Sequence, residues 1–241
     1  MRGGNPGTWM RRSPRSPRAD AIEPLQKAFY LVDQIAAKDP NDATFRDRVG
    51  TAGLQLGDVL RHIDPRRAIS IYARTLQRLR ETHDGTALLR QARVLAHSAC
   101  AYERLGRWTA AQQAIDSAFA ILKPMGQDPA VVGMLGGEWD DAYRARADYE
   151  FQTGHPERSR AILLDLQDKL LALDPTPETD LRNAFDMSRL YASLYRDDVE
   201  PGRLDEAKHF QALRIGLWTG WDHRLPGNQF VRRQVEAASR R

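Results

Sequence analysis

Short helix-breaking segments divide this chain at intervals, and their spacing constrains its fold more than any other feature. Between them lie stretches of about fifteen to twenty-five residues in which apolar side chains recur three and four positions apart, the period of an amphipathic α-helix. No stretch alternates apolar and polar residues with β-branched enrichment. We therefore expect an all-α protein. Its helix boundaries are predicted at KDPND near Lys38, HIDPRR near Asp64, LGRW near Gly106, TGHP near Gly154, LDPTPE near Asp174, EPGR near Gly202 and RLPGN near Pro226.

A small residue recurs in a similar helical context along the chain. Two helices approach closely only where the facing residues are small, while a large side chain one turn away fills the remaining groove. The pattern therefore predicts a repeated helical hairpin, and such hairpins stack because one alone cannot bury its apolar face. The equivalent positions are Ala28, Ala68, Ala111, Ser159 and Ala207, separated by 40, 43, 48 and 48 residues.

The clearest of these hairpins surrounds the segment AYERLGRWTAAQQAIDSAFAILKP, residues 101–124. Ala99 and Ala111 supply the small contact surfaces, and Gly106 is suited to the backbone conformation of the turn between the two helices. Large residues on either side complete the predicted contact. The structural positions of this hairpin are Leu95, Ala99, Tyr102, Gly106, Trp108, Ala111, Ile115 and Ala118.

This run of residues resembles the tetratricopeptide repeat (TPR) motif, which has a large–small–aromatic first helix and a small–aromatic–small second helix. Pro40 falls where that repeat places its closing proline relative to Ala28. The spacings exceed the family's typical ~34 residues, so the helices or loops are expected to be longer than usual. The resemblance implies a TPR-like array of antiparallel helical hairpins that form a right-handed α-solenoid.

A narrower resemblance covers most of the chain. The segments KDPNDATFRDRVGTAGLQLGDVLRHIDPRRAISIY, LAHSACAYERLGRW and LWTGWDHRLPGNQFVRRQ are similar to the C-terminal TPR region of bacterial eukaryotic-like serine/threonine kinases. The kinase motifs themselves are missing, since the chain has no glycine-rich phosphate loop, His-Arg-Asp loop or Asp-Phe-Gly. The resemblance therefore implies a regulatory or recognition module without kinase activity.

The net charge of +4 is concentrated in residues 1–20, where five arginines face one aspartate, and the remaining residues are balanced. Gly, Pro, Ser and Arg occur there without periodicity, which predicts a disordered basic leader (1–20) before a TPR-like helical repeat domain (21–241). A neutral body argues against a broad phosphate-binding surface, so nucleic acid is disfavoured as a partner. No apolar run is long enough to cross a membrane.

The sequence offers no motif for chemistry. There is no Gly-x-Ser-x-Gly, Walker loop or dinucleotide fingerprint, and no two of the six histidines lie four positions apart, as a zincin-type metal site requires. Cys100 is the only cysteine, which excludes an intrachain disulfide and predicts a small buried or groove-facing side chain. We expect no enzyme activity, no cofactor and no metal.

Three acidic residues follow a glycine pair at a predicted helix start: Glu138, Asp140 and Asp141 in GGEWDDAY. One interpretation is that two of these carboxyl groups act as a catalytic acid–base pair. Carboxylates in a first turn also complement the helix dipole and cap free amides. We interpret them as capping residues.

In TPR arrays the first helix of each hairpin lines a concave groove, and the resemblance therefore implies a groove for a peptide or protein partner. The family's chaperone adaptors hold a C-terminal carboxylate with a Lys/Asn set, but Ala96 and Cys100 occupy two of the matching places here, which disfavours that partner class. The expected partner-binding positions carry both signs of charge, as suits a polar or charged peptide. They are Asp58, Arg61, Arg93, Ala96, Cys100, Glu103, Arg104, Arg144 and Asp148, with Thr51, Leu54 and Asp141 as neighbours.

The predicted function is a non-catalytic protein-interaction scaffold. One alternative is a detached regulatory or sensor region of a bacterial serine/threonine kinase. Another is an RNA- or membrane-associating protein that binds through its Arg-rich leader. A cytoplasmic location is expected for the scaffold, and an extracytoplasmic one if the chain is a fragment of a membrane-spanning kinase.

Overall fold

The computed structural model describes residues 17–39, 42–81, 85–125 and 137–240, and within these ranges all regular structure is helical. This confirms the all-α prediction. A short 3-10 helix, Lys123–Met125, follows the fifth α-helix. The α-helices of the described ranges are α1 (Pro17–Lys38), α2 (Ala43–Leu60), α3 (Pro65–Arg80), α4 (Gly85–Glu103), α5 (Trp108–Leu122), α6 (Glu138–Gln152), α7 (Pro156–Leu171), α8 (Leu181–Val199), α9 (Leu204–Arg224) and α10 (Gln229–Ser239).

Each of the seven predicted helix boundaries lies at a break between helices. Four of these breaks end in a side-chain cap, because a side-chain oxygen of Asp42, Asp64, Asp180 or Asn228 accepts a hydrogen bond from backbone N–H groups in the following first turn. Such caps satisfy donors that have no partner inside the helix. The turn residues of the sequence thus set where α2, α3, α8 and α10 begin.

The turns before α5, α7 and α9 share one geometry. Gly106, Gly154 and Gly202 have φ angles of 66°, 86° and 84°, a left-handed conformation that glycine adopts without steric cost. The residue after each glycine donates its backbone N–H to a carbonyl five residues earlier, at 2.8–2.9 Å. The same turn is therefore built three times.

The second helices of successive hairpins also share a buried small residue. Ala68, Ala111, Ser159 and Ala207 are each the fourth residue of α3, α5, α7 and α9, and all four are buried. These helices pack against α2, α4, α6 and α8, the helices that precede them. The described residues therefore contain four hairpins in one common register, as the spacing of these four residues predicted.

The expected register fails in α1. Ala28 is exposed, whereas Phe29, Asp33 and Ala36 are buried. Alanine is common on both faces of a helix, so its spacing alone did not identify the buried side. The helix begins at Pro17, so the last four residues of the predicted leader are helical. Pro40 and residues 1–16 lie outside the described residues.

Asp33 attaches α1 to the first hairpin. Its carboxylate accepts hydrogen bonds from Arg74 Nε at 2.7 Å and from Arg78 Nε at 2.8 Å, both in α3. The two guanidinium groups hold the pKa of Asp33 below its ordinary value, although burial acts in the opposite direction.

The hairpin α4/α5 agrees with its predicted contacts except at one aromatic residue. Leu95, Ala99, Ile115 and Ala118 are buried, and Tyr102 packs against the same core. Trp108 is 36% exposed. Its ring meets Tyr149 of α6 edge to face, with centroids 6.4 Å apart, so this tryptophan also contacts the next hairpin.

Replacing Ala111 with leucine is expected to lower the free energy of unfolding by about 1–3 kcal/mol, because extra methylenes in a packed interface force backbone shifts. Ala111 has no exposed surface where α5 meets α4. The matched control is Ala161→Leu in α7, where the alanine is exposed. Thermal melts monitored by circular dichroism compare the two, and an unchanged midpoint for Ala111→Leu would contradict the assigned register.

Candidate partner-binding face

The first helices of the four hairpins are neighbours in space. α4 packs against both α2 and α6, and Arg144 in α6 donates its Nη2 to the backbone carbonyl of Asp186 in α8 at 2.9 Å. We refer to the side chains through which α2, α4, α6 and α8 approach one another as the first-helix face. It carries most of the charged residues predicted to bind a partner.

His97 of α4 lies at the centre of this face and is 8% exposed. Its Nδ1 is 2.6 Å from Asp58 Oδ1 in α2, and its Nε2 is 3.2 Å from Asp141 Oδ2 in α6. Tyr72 in α3 donates its hydroxyl to the same Asp58 oxygen at 2.9 Å. Arg93, one turn before His97, places its Nε 2.8 Å from Asp141. A single imidazole therefore joins three consecutive first helices.

The carboxylates determine the charge of this imidazole. Burial alone disfavours the imidazolium, but Asp141 and Asp58 outweigh it and raise the pKa of His97 above its ordinary value of 6.5. Burial likewise opposes ionisation of Asp58 and Asp141, but the imidazolium and nearby arginines keep the pKa of both carboxyls below the ordinary value of 3.8. The three groups form a buried, charged network.

A second network joins α6 to α8. Arg144 Nε is 2.6 Å from Asp140 Oδ1, and both residues are buried. Burial raises the pKa of Asp140, and burial together with the nearby Asp140 raises the pKa of Asp186 to about 6. This pair is a structural contact of the interior.

A third cluster lies at the other end of α4. Glu103 is half-buried, and burial together with the like charge of Asp148 in α6 raises its pKa to about 8. Arg196 in α8 donates Nη1 to Asp148 Oδ1 at 2.7 Å and places Nη2 2.7 Å from Asp197 Oδ1. Its guanidinium carbon lies 3.9 Å from the centre of the Phe151 ring.

Two arginines, Arg61 and Arg104, lie near the C-terminal end of α4 on the side of α2. Arg104 is exposed, and its Nη2 is 3.0 Å from His62 Nδ1, so that imidazole nitrogen accepts the hydrogen bond. Arg61 is half-buried, with Nη1 3.8 Å from Asp58. Within the described ranges Arg104 has no carboxylate within ion-pair distance.

The structure divides the predicted partner-binding residues into three groups. Ala96 and Arg144 are buried, at 2% and 5% exposure, and offer almost no surface. Asp58, Arg93 and Asp148 are partly exposed but engaged in ion pairs. The residues with accessible surface at the end of α4 and beside it are Arg61, Cys100, Glu103 and Arg104.

The capping interpretation of the acidic residues in α6 is wrong. Gly137 is the N-cap of α6, and no side chain accepts a hydrogen bond there. Asp140 and Asp141 instead point into the interior, where they meet Arg144 and His97. The position of Asp141 in the first turn gave no sign of its contact, because its partner His97 is supplied by another helix.

A separate groove of about 510 Å³ runs along α9. Its base is formed by Ala212, Gly216 and Gly220, and it includes Trp221, whose Nε1 donates to the Pro177 carbonyl at 2.8 Å. A Cβ added at either glycine meets no atom within 4 Å, so the groove is open above them. Leu217, Gly220 and Trp221 of the LWTGW segment contribute to its lining.

The described ranges hold neither a candidate membrane span nor a candidate metal site. No helix there is long and apolar enough to cross a membrane. No three side chains of His, Cys, Asp or Glu in the described part of the chain are placed to hold a metal ion together.

Comparison with known proteins places the chain by its fold alone. No protein-family model matches it, and no curated protein matches it. The all-helical fold is similar to the crystal structure of BtubC (BKLC) from P. vanneervenii, with a TM-score of 0.63 over 92% of this chain and 83% of that chain. The two sequences are 17% identical over this match, so the likeness shows a shared fold and carries no function by itself.

Proposed function

We propose that this chain is a non-catalytic protein-interaction scaffold of TPR-like architecture, a right-handed solenoid whose concave surface is the first-helix face. The partner is a peptide or protein segment that lies across α2, α4 and α6. The repeated turns before α5, α7 and α9 and the repeated buried small residues support this architecture, since stacked equivalent hairpins form extended binding surfaces.

The observation that carries this proposal is the end of α4. Glu103 and Arg104 are accessible, yet neither has an opposite charge within ion-pair distance among the described residues. Charged groups in the remainder of the face are paired: Asp58 and Asp141 with His97, and Asp148 with Arg196. Unpaired charge on an otherwise paired surface is available to a partner.

The central histidine of the first-helix face does not support a catalytic role. His97 resembles an acid–base residue in having two carboxylate neighbours, but it is buried and both ring nitrogens are engaged. A general acid or base needs at least one nitrogen within reach of substrate. His97 is therefore better suited to joining helices than to chemistry.

Reversing the charge of Arg104 is expected to weaken capture of a partner about tenfold, equivalent to about 1.4 kcal/mol, while the melting temperature stays unchanged because the residue is exposed. The full chain serves as bait in a pull-down, and the affinity of the identified partner is then measured for Arg104→Glu. Arg144 is unsuitable for this test, because it is buried against Asp140.

The matched control is Arg233→Glu, the same substitution at an exposed position of α10. If Arg104→Glu and Arg233→Glu bind the partner equally well, the first-helix face is not the binding surface. The groove along α9 then becomes the leading site, and Gly216→Leu, which fills that groove, tests it with the same partner.

A further inference from the structure

The last turn of α4 carries an acidic group that has no compensating contact. Glu103 Oε1 is buried, and no described residue donates a hydrogen bond to it. Desolvated carboxylates are costly unless they are paired or hydrogen-bonded. Glu103 therefore costs the folded protein stability.

The surroundings of Glu103 increase this cost. Asp148 in α6 brings a like charge towards it. The cation on that side, Arg196, is already engaged by Asp148 and Asp197 at 2.7 Å each. Two carboxylates other than Glu103 thus already share this guanidinium. Ionisable groups held in unfavourable surroundings are found preferentially at functional sites.

Arg104, the next residue, carries the opposite charge and contacts a different neighbour. Arg104 contacts His62 in the turn that follows α2, whereas the charge that acts most strongly on Glu103 is that of Asp148 in α6. Arg104 directly follows α4, and its N–H still bonds the Cys100 carbonyl at 3.2 Å. Consecutive residues in such a turn diverge by about 100°, so the end of α4 places a basic group on the α2 side and an acidic group on the α6 side. Burial raises the pKa of Cys100, one turn earlier, and the charges of Glu103 and Arg104 act on it in opposite directions.

We infer that the first-helix face binds a peptide of mixed charge in one direction, with a basic side chain paired to Glu103 over α6 and an acidic side chain paired to Arg104 over α2. This rests on the proposed function and adds the chemistry and orientation of its ligand. A basic side chain beside the half-buried Glu103 supplies the missing opposite charge, and an Arg–carboxylate pair at Arg104 is the stronger class of hydrogen bond. Complementary charges of this kind fix orientation at an interface.

An array of immobilised Ser/Gly peptides tests the inference, with each peptide carrying one lysine and one glutamate in either order and at varied spacing. The full chain is expected to favour one order and spacing, and to lose about tenfold in binding when the lysine of the best peptide is changed to glutamine. Glu103→Gln is expected to remove the preference for lysine, and Arg104→Gln the preference for glutamate. Glu236→Gln at an exposed position of α10 is the matched control, and it is expected to keep the preference for both lysine and glutamate.

The melting temperature separates this role from a structural one. Because the pKa of Glu103 rises to about 8 in the folded chain, folding at neutral pH requires this carboxylate to take up a proton, which costs stability. Glu103→Gln removes that cost at nearly constant size, so this variant is expected to melt above the parent chain at neutral pH while binding less well. A variant that melts lower would show that Glu103 stabilises the fold and would overturn the inference. Equal binding of all the array peptides would overturn it as well.

The two proposals fail in different ways. If Arg104→Glu weakens binding of the captured partner but the array shows no preference for a lysine–glutamate pair, the first-helix face is the binding surface and the inferred ligand chemistry is wrong. If neither experiment responds to these substitutions, the first-helix face is not the binding surface.

Discussion

Replacing His97 with alanine is expected to lower the free energy of unfolding by about 3 kcal/mol, at the lower end of the range for breaking a buried ion pair. The substitution leaves Asp58 and Asp141 without the group that joins them. The loss stays near that lower end because Asp141 still forms an ion pair with Arg93, and Asp58 still accepts a hydrogen bond from the Tyr72 hydroxyl. For a chain of this size it corresponds to roughly 6–12 °C in melting temperature.

Chemical denaturation measured by circular dichroism tests this expectation. His223→Ala is the control, because His223 is exposed at the end of α9 and is expected to change stability by no more than about 0.5 kcal/mol. Equal effects of the two substitutions would show that the His97 network contributes nothing to the fold.

The pH dependence follows from the directions of the pKa shifts. The pKa of His97 is raised on folding, so its contribution is fully present below its ordinary value of 6.5 and is lost as the pH rises through the higher value of the folded state. The pKa values of Asp58 and Asp141 are lowered, so their contribution is present above 3.8 and is lost as the pH falls below that value. The network therefore contributes most between about pH 4 and 6.5. His97→Gln is expected to flatten the decline in stability above this range.

Local features of the fold were predictable because they depend on neighbours in sequence. Asp64 caps α3 through Arg67 N, three residues away, and Gly106 provides a left-handed turn that few other residues tolerate. The small residues Ala68, Ala111 and Ala207 identified the second helices for the same reason, since their turn signals come just before them. Ala28 lacked such a turn, and its predicted register was wrong.

The candidate site was less predictable because its contacts join residues from different hairpins. Asp58, His97 and Asp141 are 39 and 44 positions apart, and no local pattern shows that they meet. The periodicity of α4 and the resemblance to a known repeat pointed to the helices that carry these residues, α2, α4 and α6. Neither distinguished Arg144, which is buried, from Arg104, which is exposed. Burial of a charge depends on its partner, and that partner is supplied by the packing of whole helices.

At the close contact of α2 with α3, the addition of a single carbon atom is expected to change stability strongly. Gly53 and Gly57 lie one turn apart on α2, against Thr75 and Tyr72 of α3, and a Cβ at position 57 would lie under 3.0 Å from three atoms of the Tyr72 ring. Such a separation requires something to shift. Tyr72 is 1% exposed and its hydroxyl is bonded to Asp58, so the ring has little freedom to do so.

Gly57→Ala is therefore expected to lower the free energy of unfolding by about 1–3 kcal/mol, because the overpacking cost exceeds the gain in helix propensity of about 1 kcal/mol. Gly216→Ala in α9 is the matched control, since its Cβ meets nothing within 4 Å and only the propensity gain remains. The two variants should shift the melting temperature in opposite directions. Combining Gly57→Ala with Tyr72→Leu should cost less than the sum of the two single substitutions, because the smaller side chain relieves the overlap. Strict additivity would contradict the direct contact and would move the cause of any loss elsewhere in α2.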